Sequence, residues 1–385
     1  MSADDFLNVP LSLLKNIGIN LSENEKLRQN LALRKKIKNF LRKIHFFNIV
    51  TNLIGVLIMN IFPIFVAVNF KDSFLFLLNT SYFSTVLFKL LTVVYQKDKL
   101  LQIFNNLRQI FPKTKSDQDR HQTVKYYQKF SSFWKVYRTI LKVTAVVMII
   151  AALAIFFNHE EKYDSIFIIK PTGIFSIILH TICTSWNTII LLTVQALNDM
   201  LFVTIATMLS MNFDNLSRDF KSELSKSNLN MKSLKILIDR HINLFELSEK
   251  TQEIYSSIFL YSFVNSSVII ALFCADMTVG DVVAKVSGLV SFAFISLHTF
   301  LPYYHGQKVY DSSSRIFYSI IDSKWYNLKN ESVKKSVGIL LTNAQNSVFF
   351  TGCDFFVVDC ETYMNLLMSA YSYFTLLINI HQNLK

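Results

Sequence analysis

The sequence predicts an all-α, polytopic membrane protein with seven transmembrane helices, its N-terminus cytoplasmic and its C-terminus extracellular. Three observations carry this expectation. Hydrophobic residues make up 51% of the 385 and aromatic residues 14%, and the mean hydropathy is +0.33. Such a chain has too little polar surface to cover a soluble globule. Next, seven apolar runs lie near 45–68, 74–95, 139–157, 174–210, 254–276, 282–304 and 361–381. At ~1.5 Å per residue each can cross a ~30 Å hydrocarbon core. Finally, thirty-two Lys and Arg fall in the N-terminal segment and in the loops after the second, fourth and sixth runs, against four (Lys71, Lys162, Lys170 and Lys285) in the alternate loops. That asymmetry sets the orientation by the positive-inside rule. A net charge of +12 spread through loops in this way points to membrane topology and membrane lipid, with no nucleic acid partner.

Taken in order, residues 1–43 are basic and lack the apolar core of a secretory signal peptide. Phe6, Leu7, Leu11, Leu14 and Ile17 share one face of a surface helix that could dock on lipid or on the protein's own cytoplasmic part. The fourth run is nearly twice a bilayer crossing, so its helix is expected to continue into the cytoplasm past Asp199. Pro63 and Pro302 sit near run ends, where a missing backbone donor is tolerated. Leu234–Phe245 and Ile316–Ile321 read as amphipathic helices on the cytoplasmic side, buried either within the chain or between subunits. Of the N-x-[ST] triplets, those at Asn20, Asn215 and Asn330 fall in the cytosol, Asn265 falls inside the fifth run, and Asn79 is a borderline outer site.

Catalytic and cofactor chemistry has no signature here. The eight glycines form neither GxGxxG nor GxxxxGK[ST], and Cys183, Cys274, Cys353 and Cys360 lack CxxC spacing. The histidines are isolated, His159-Glu160-Glu161 reads as a solvated turn, and no cofactor is expected. His180 and His298 lie inside apolar runs, as does Asp199. In the last run Asn365, Ser369, Ser372, Leu376, Asn379 and Ile380 share one helical face. A small-polar stripe that turns apolar at Leu376 and Ile380 suits one wall of a water-filled pore with a constriction that can dewet. Small and polar residues that pack one helix on another would give the same pattern.

The run Ser369-Ala370-Tyr371-Ser372-Tyr373-Phe374-Thr375-Leu376-Leu377 resembles the C-terminal signature of insect odorant receptors. The similarity extends upstream, in order, through Asp311-Ser312-Ser313-Ser314-Arg315, Asp322-Ser323-Lys324-Trp325-Tyr326, Ala344-Gln345 and Phe350-Thr351-Gly352, covering about the last eighty residues. The resemblance implies a seven-span subunit whose long helices extend into a cytoplasmic anchor and whose last helix lines a ligand-gated, non-selective cation channel. It implies three segments: a ligand-binding bundle with the N-terminal segment (1–304), an anchor (305–360) and the pore helix (361–385). Leu376 and Ile380 stand at the family's gate positions with Asn379 between them, on the same wall as Ser369 and Ser372. Trp325 and Tyr326, large aromatics beside a charged run, are the candidate subunit-interface residues of the anchor.

The resemblance also implies a small volatile organic ligand bound among the outer halves of the spans. The residues offered there are Phe76, Asn79, Tyr82, Phe83, Met148, Ala151, Ala152, Ile155, Trp186, Val290 and Phe294. An aromatic and aliphatic lining suits an apolar ligand held by area burial and oriented by one or two polar groups. The implied partner is the shared odorant co-receptor (Orco) in a heterotetramer, at the plasma membrane of a sensory neuron dendrite. The loop between the fourth and fifth runs is too short for the co-receptor itself. The alternative is a homomeric, gustatory-receptor-like channel. That group's Thr-Tyr-x5-Gln-Phe pattern is replaced here by Ser372-Tyr373-Phe374-Thr375-Leu376-Leu377. A transporter would be expected to show an internal repeat and Gly/Pro-broken helices. A G-protein-coupled receptor has the opposite topology.

Overall fold

The computed structural model describes residues 2–19, 33–66, 70–111, 117–158, 174–226, 229–279 and 282–383. Among these residues the chain forms ten α-helices: α1 (Ala3–Ile17), α2 (Leu33–Val66), α3 (Phe70–Tyr95), α4 (Lys97–Ile110), α5 (Asp117–Asn158), α6 (Ile174–Leu224), α7 (Met231–Val279), α8 (Val282–Asp322), α9 (Glu331–Ala344) and α10 (Cys360–Asn383). Each of the seven apolar runs lies within, or overlaps, one of α2, α3, α5, α6, α7, α8 and α10. By length and composition, three of the described helices are long and apolar enough to cross a membrane, in the stretches Leu41–Ile58, Ser185–Leu224 and Met231–Leu272.

Proline lies inside α1 (Pro10) and α8 (Pro302), but the two longest helices are free of helix breakers. Neither glycine nor proline occurs in the 51 residues of α6 or the 49 of α7. At ~1.5 Å per residue α6 therefore runs on the order of 75 Å, well beyond a bilayer core. α6 is the axis of the bundle. It packs against α8, α5, α7, α1 and α3. From Ile190 to Leu216 nearly every residue is buried, including Gln195, Asn198, Asp199, Thr204, Ser210 and Asp214. A helix apolar all round with its polar residues also covered is one enclosed by other helices. α2 is the opposite case: Ile44, Phe47, Ile54 and Ile58 are exposed, as a lipid-facing stripe would be.

α1 docks on the protein itself. Asp5 accepts a hydrogen bond from the Ser2 amide (2.7 Å), and Gly18 ends the helix in the left-handed region at φ 98°. Any Cβ at Gly18 would collide with the Arg42 carbonyl, so α1 and α2 touch where only glycine fits. Phe6, Leu7, Leu14 and Ile17 are buried against α6 and its neighbours, and Phe6 meets the rings of Phe111, Tyr127 and Phe130. The amphipathic face expected for lipid or protein is thus covered by protein.

Between α9 and α10 the chain forms a short hairpin closed by the bridge Thr351↔Val357 and by Val358 N–H donating to the Phe350 carbonyl at 2.8 Å. Phe350 is fully buried against Phe202 of α6 and Phe259 of α7. Gln252 of α7 donates to the Thr351 carbonyl (3.0 Å) and accepts from its amide (3.0 Å), and the Cys353 amide donates to Ser256 (2.9 Å). On the other side, a Cβ at Gly306 of α8 would strike the Val358 carbonyl. The start of α10 is therefore clamped between α7 and α8.

Candidate functional site

Lys89 and Asp199 are two opposite charges buried in the middle of the bundle, at 6% and 7% exposure. Asp199 accepts from the Tyr137 hydroxyl of α5 at 2.5 Å and from Gln195 Nε2 at 3.1 Å. The same amide nitrogen lies 2.9 Å from His298 Nδ1 of α8, so that ring nitrogen is the acceptor and Nε2 carries the proton. Burying a carboxylate is tolerable only when it is bonded in this way. Next to this network is a cavity of about 30 Å³ lined by Lys89, Asn198, Asp199, Phe202, Tyr255, Ser262, His298, Pro302 and Tyr303, among others. α3, α6, α7 and α8 all contribute to its wall.

The residues offered for a volatile ligand separate into groups. Tyr82 and Phe83 lie on α3 above Lys89, Tyr82 half-buried and Phe83 buried. Phe294 is buried on α8 with its ring 5.6 Å from that of His298, and Val290 is half-buried one turn away. Trp186 instead stands edge-on to His45 of α2, 6.2 Å between centroids, and is 40% exposed; Met148 is also exposed. The side chains of Phe76, Asn79, Ala151, Ala152, Ile155 and Ile380 lie outside the described residues. Lys89, Asn198, Tyr137, Gln195 and Tyr255 were not among the expected site residues. The available signal was Lys89 itself, an ionisable group inside an apolar run facing Asp199 in another.

On α10 the inner face carries Leu366 and Ala370, buried against α7 and α8, with Tyr363 donating to the Ser296 carbonyl at 3.2 Å. The polar stripe lies away from that face. Asn365, Ser372, Leu376 and Asn379 are exposed and Ser369 is half-buried. Ser369 and Ser372 turn their hydroxyls back to the carbonyls of Asn365 (2.9 Å) and Met368 (3.0 Å). The stripe therefore does not serve packing within the chain.

The part of the bundle around Asp214 and Arg315 is tied by charge. Asp214 of α6 accepts from Arg315 Nη1 of α8 at 2.9 Å and from the Tyr126 hydroxyl of α5. Burial first, and then Asp214, raises the Tyr126 phenol above its ordinary range. Lys308 sits over the Tyr126 ring, 4.8 Å from its centroid, and burial together with nearby Lys129 lowers its ammonium pKa. Ser313 accepts from the Val348 amide at 2.9 Å. The run Asp311–Arg315 is thus an interhelix lock. Trp325 is half-buried in the 3-10 turn Trp325–Asn327, whereas Tyr326 is 58% exposed, as are Phe349 (53%) and Phe355 (78%) further along the chain.

Residues 70–371 match the family model described as 7tm Odorant receptor. Odorant receptor 85b of Drosophila melanogaster is 29% identical over 189 residues, 48% of this chain and 47% of its own. Odorant receptor 49a of the same organism is 20% identical over 311 residues, 75% of this chain and 76% of its own. Among solved structures, the insect olfactory receptor OR5 from Machilis hrabei superimposes with a TM-score of 0.81 at 16% identity, covering 98% of this chain and 100% of that one; a second structure of it contains eugenol.

Proposed function

This chain belongs to the odorant receptor family, a family of receptors and not of enzymes, and from that premise we propose that it is the odorant-specific subunit of a ligand-gated, non-selective cation channel. The observation that carries the reading is α10, whose small-polar face is left uncovered by its own bundle while Leu366 and Ala370 anchor the opposite side. Four such faces brought together around an axis would make a wettable wall, with Leu376 and Ile380 as the constriction. The basic loops support seven spans with the N-terminus inside and the C-terminus outside, in a plasma membrane. The exposed aromatics Tyr326, Phe349 and Phe355 support a subunit contact in the cytoplasmic anchor (305–360).

The ligand is a small volatile, held in the outer part of the 1–304 bundle, by analogy with the relative solved in complex with eugenol. Tyr82, Phe83 and Phe294 are its nearest described candidates. Binding opens the channel through the ligand's higher affinity for the open arrangement of the helices. The partner is the co-receptor subunit. Recording currents from cells expressing this chain alone and with the co-receptor, under a broad volatile panel, tests the assignment. Odour-evoked cation current in the pair only is expected. Current from the chain alone would instead favour the homomeric, gustatory-like reading.

A further inference from the structure

The cavity beside Lys89 and Asp199 has three properties that belong together. It is small: about 30 Å³ is room for one or two waters and far below the ~300 Å³ of a pocket for a drug-sized ligand. It is rich in unused oxygen. Asn198 Oδ1, the Tyr255 hydroxyl and Ser262 Oγ line it or border it and have no hydrogen-bond partner among the described residues. Asn198 and Tyr255 are 4% and 1% exposed. Pro302, also in the wall, has no N–H to give the His298 carbonyl one turn back, so α8 lacks a backbone bond at that level. And the cavity is electrically balanced. Lys89 and Asp199 face it with opposite charges and lie in each other's field, yet they form no direct ion pair.

We propose that the cavity is an internal hydration site in which one or two ordered waters join Lys89 to Asp199, making a water-bridged charge pair that fastens α3 to α6, α7 and α8 at the level of Pro302. A bare cation would meet the ammonium already there, and an anion would meet the carboxylate. Two neutral waters can share Lys89, Asp199 and the oxygens of Asn198, Tyr255 and Ser262 between them, each within the two to four partners a buried water takes. Without it both charges would lie buried and unbridged, a costly arrangement. The inference does not rest on conduction, and it can be tested whether or not the chain gates a current.

The test is a thermal-stability cycle on the full chain purified in detergent, with radiolytic water labelling alongside. Lys89→Met and Asp199→Asn are each expected to lower Tm by about 5 °C or more, and the double variant to fall no further than the worse single. Lys89→Arg, which keeps the charge, is expected to retain most of the stability. Losses that add in the double variant, or a Lys89→Arg as damaged as Lys89→Met, would overturn the pairing. Should neither single variant fold, the swap Lys89→Asp/Asp199→Lys decides: folded protein supports the pair and unfolded protein removes it. In the labelling, the buried Tyr255 ring is expected to be modified at the rate of an exposed tyrosine. A rate no faster than that of the dry-packed Phe213 and Phe220 would overturn the hydration.

Discussion

His241 lies between the rings of Phe220 and Phe245, 6.4 and 4.6 Å away, and burial holds its imidazole down at about 4. The unfolded chain, with an ordinary imidazole near 6.5, takes up the proton first. Stability from the buried neutral ring is therefore complete above about pH 6.5 and is lost as pH falls towards 4, amounting to about 2 kcal/mol by pH 5. Hydrogen exchange across 235–247, compared at pH 7 and 5, should show that loss, and His241→Phe should flatten it; an unchanged slope would contradict the assignment. Gly306→Val is expected to be worse than a surface change, by about 1–3 kcal/mol, because its side chain enters the Val358 carbonyl. Surface expression and exchange in 349–359 would report it. At this scale the sequence was a partial guide. Asp199 stood out as a charge in an apolar run, but its partners Tyr137 and Gln195 come from another helix and from one turn away. Lys89 stood equally plainly in its run, and only the packing of α3 on α6 made it a partner.

Elements were more legible than contacts. The seven apolar runs became helices because period and length are local properties. The hairpin before α10 was not legible, since its hold on α7 and α8 uses backbone groups and Gln252, more than ninety residues upstream. α1 falls between the two cases. Its apolar face was plain in the sequence, but a face alone does not say what covers it. Phe6→Ala should destabilise the folded chain by about 3–5 kcal/mol through the cavity it leaves among Phe111, Tyr127 and Phe130. Arg108→Ala, which removes an exposed pair with Asp4, should cost less than about 1 kcal/mol. Equal losses in a detergent melting assay would mean that α1 is held by charge. On α10, Leu376→Ala is expected to raise ligand-independent current in the assembled channel; unchanged leak would take it out of the gate.

For the whole molecule, a membrane-helical bundle ordered around α6 holds α10 against α7 and α8 and leaves the small-polar face of α10 uncovered. Membrane class was legible from composition, and orientation was argued from the loops. Sequence pattern alone does not select ligand-lining residues, because aromatic residues near span ends serve packing as readily as binding. Trp186 against His45 illustrates this. An N-terminal epitope should stay hidden on intact cells and a C-terminal one should stain.

The central claim, that the uncovered face of α10 lines the conduction path, is tested most directly by cysteine scanning of that helix in the complex with the co-receptor, using a charged thiol reagent during odour-evoked current. Cysteine at Ser369, Ser372, Leu376 and Asn379 should be modified and the current blocked, while Leu366 and Ala370 should be silent. Block at Leu366 and Ala370 with none along the polar stripe would contradict the account and turn the pore to the other side of the helix.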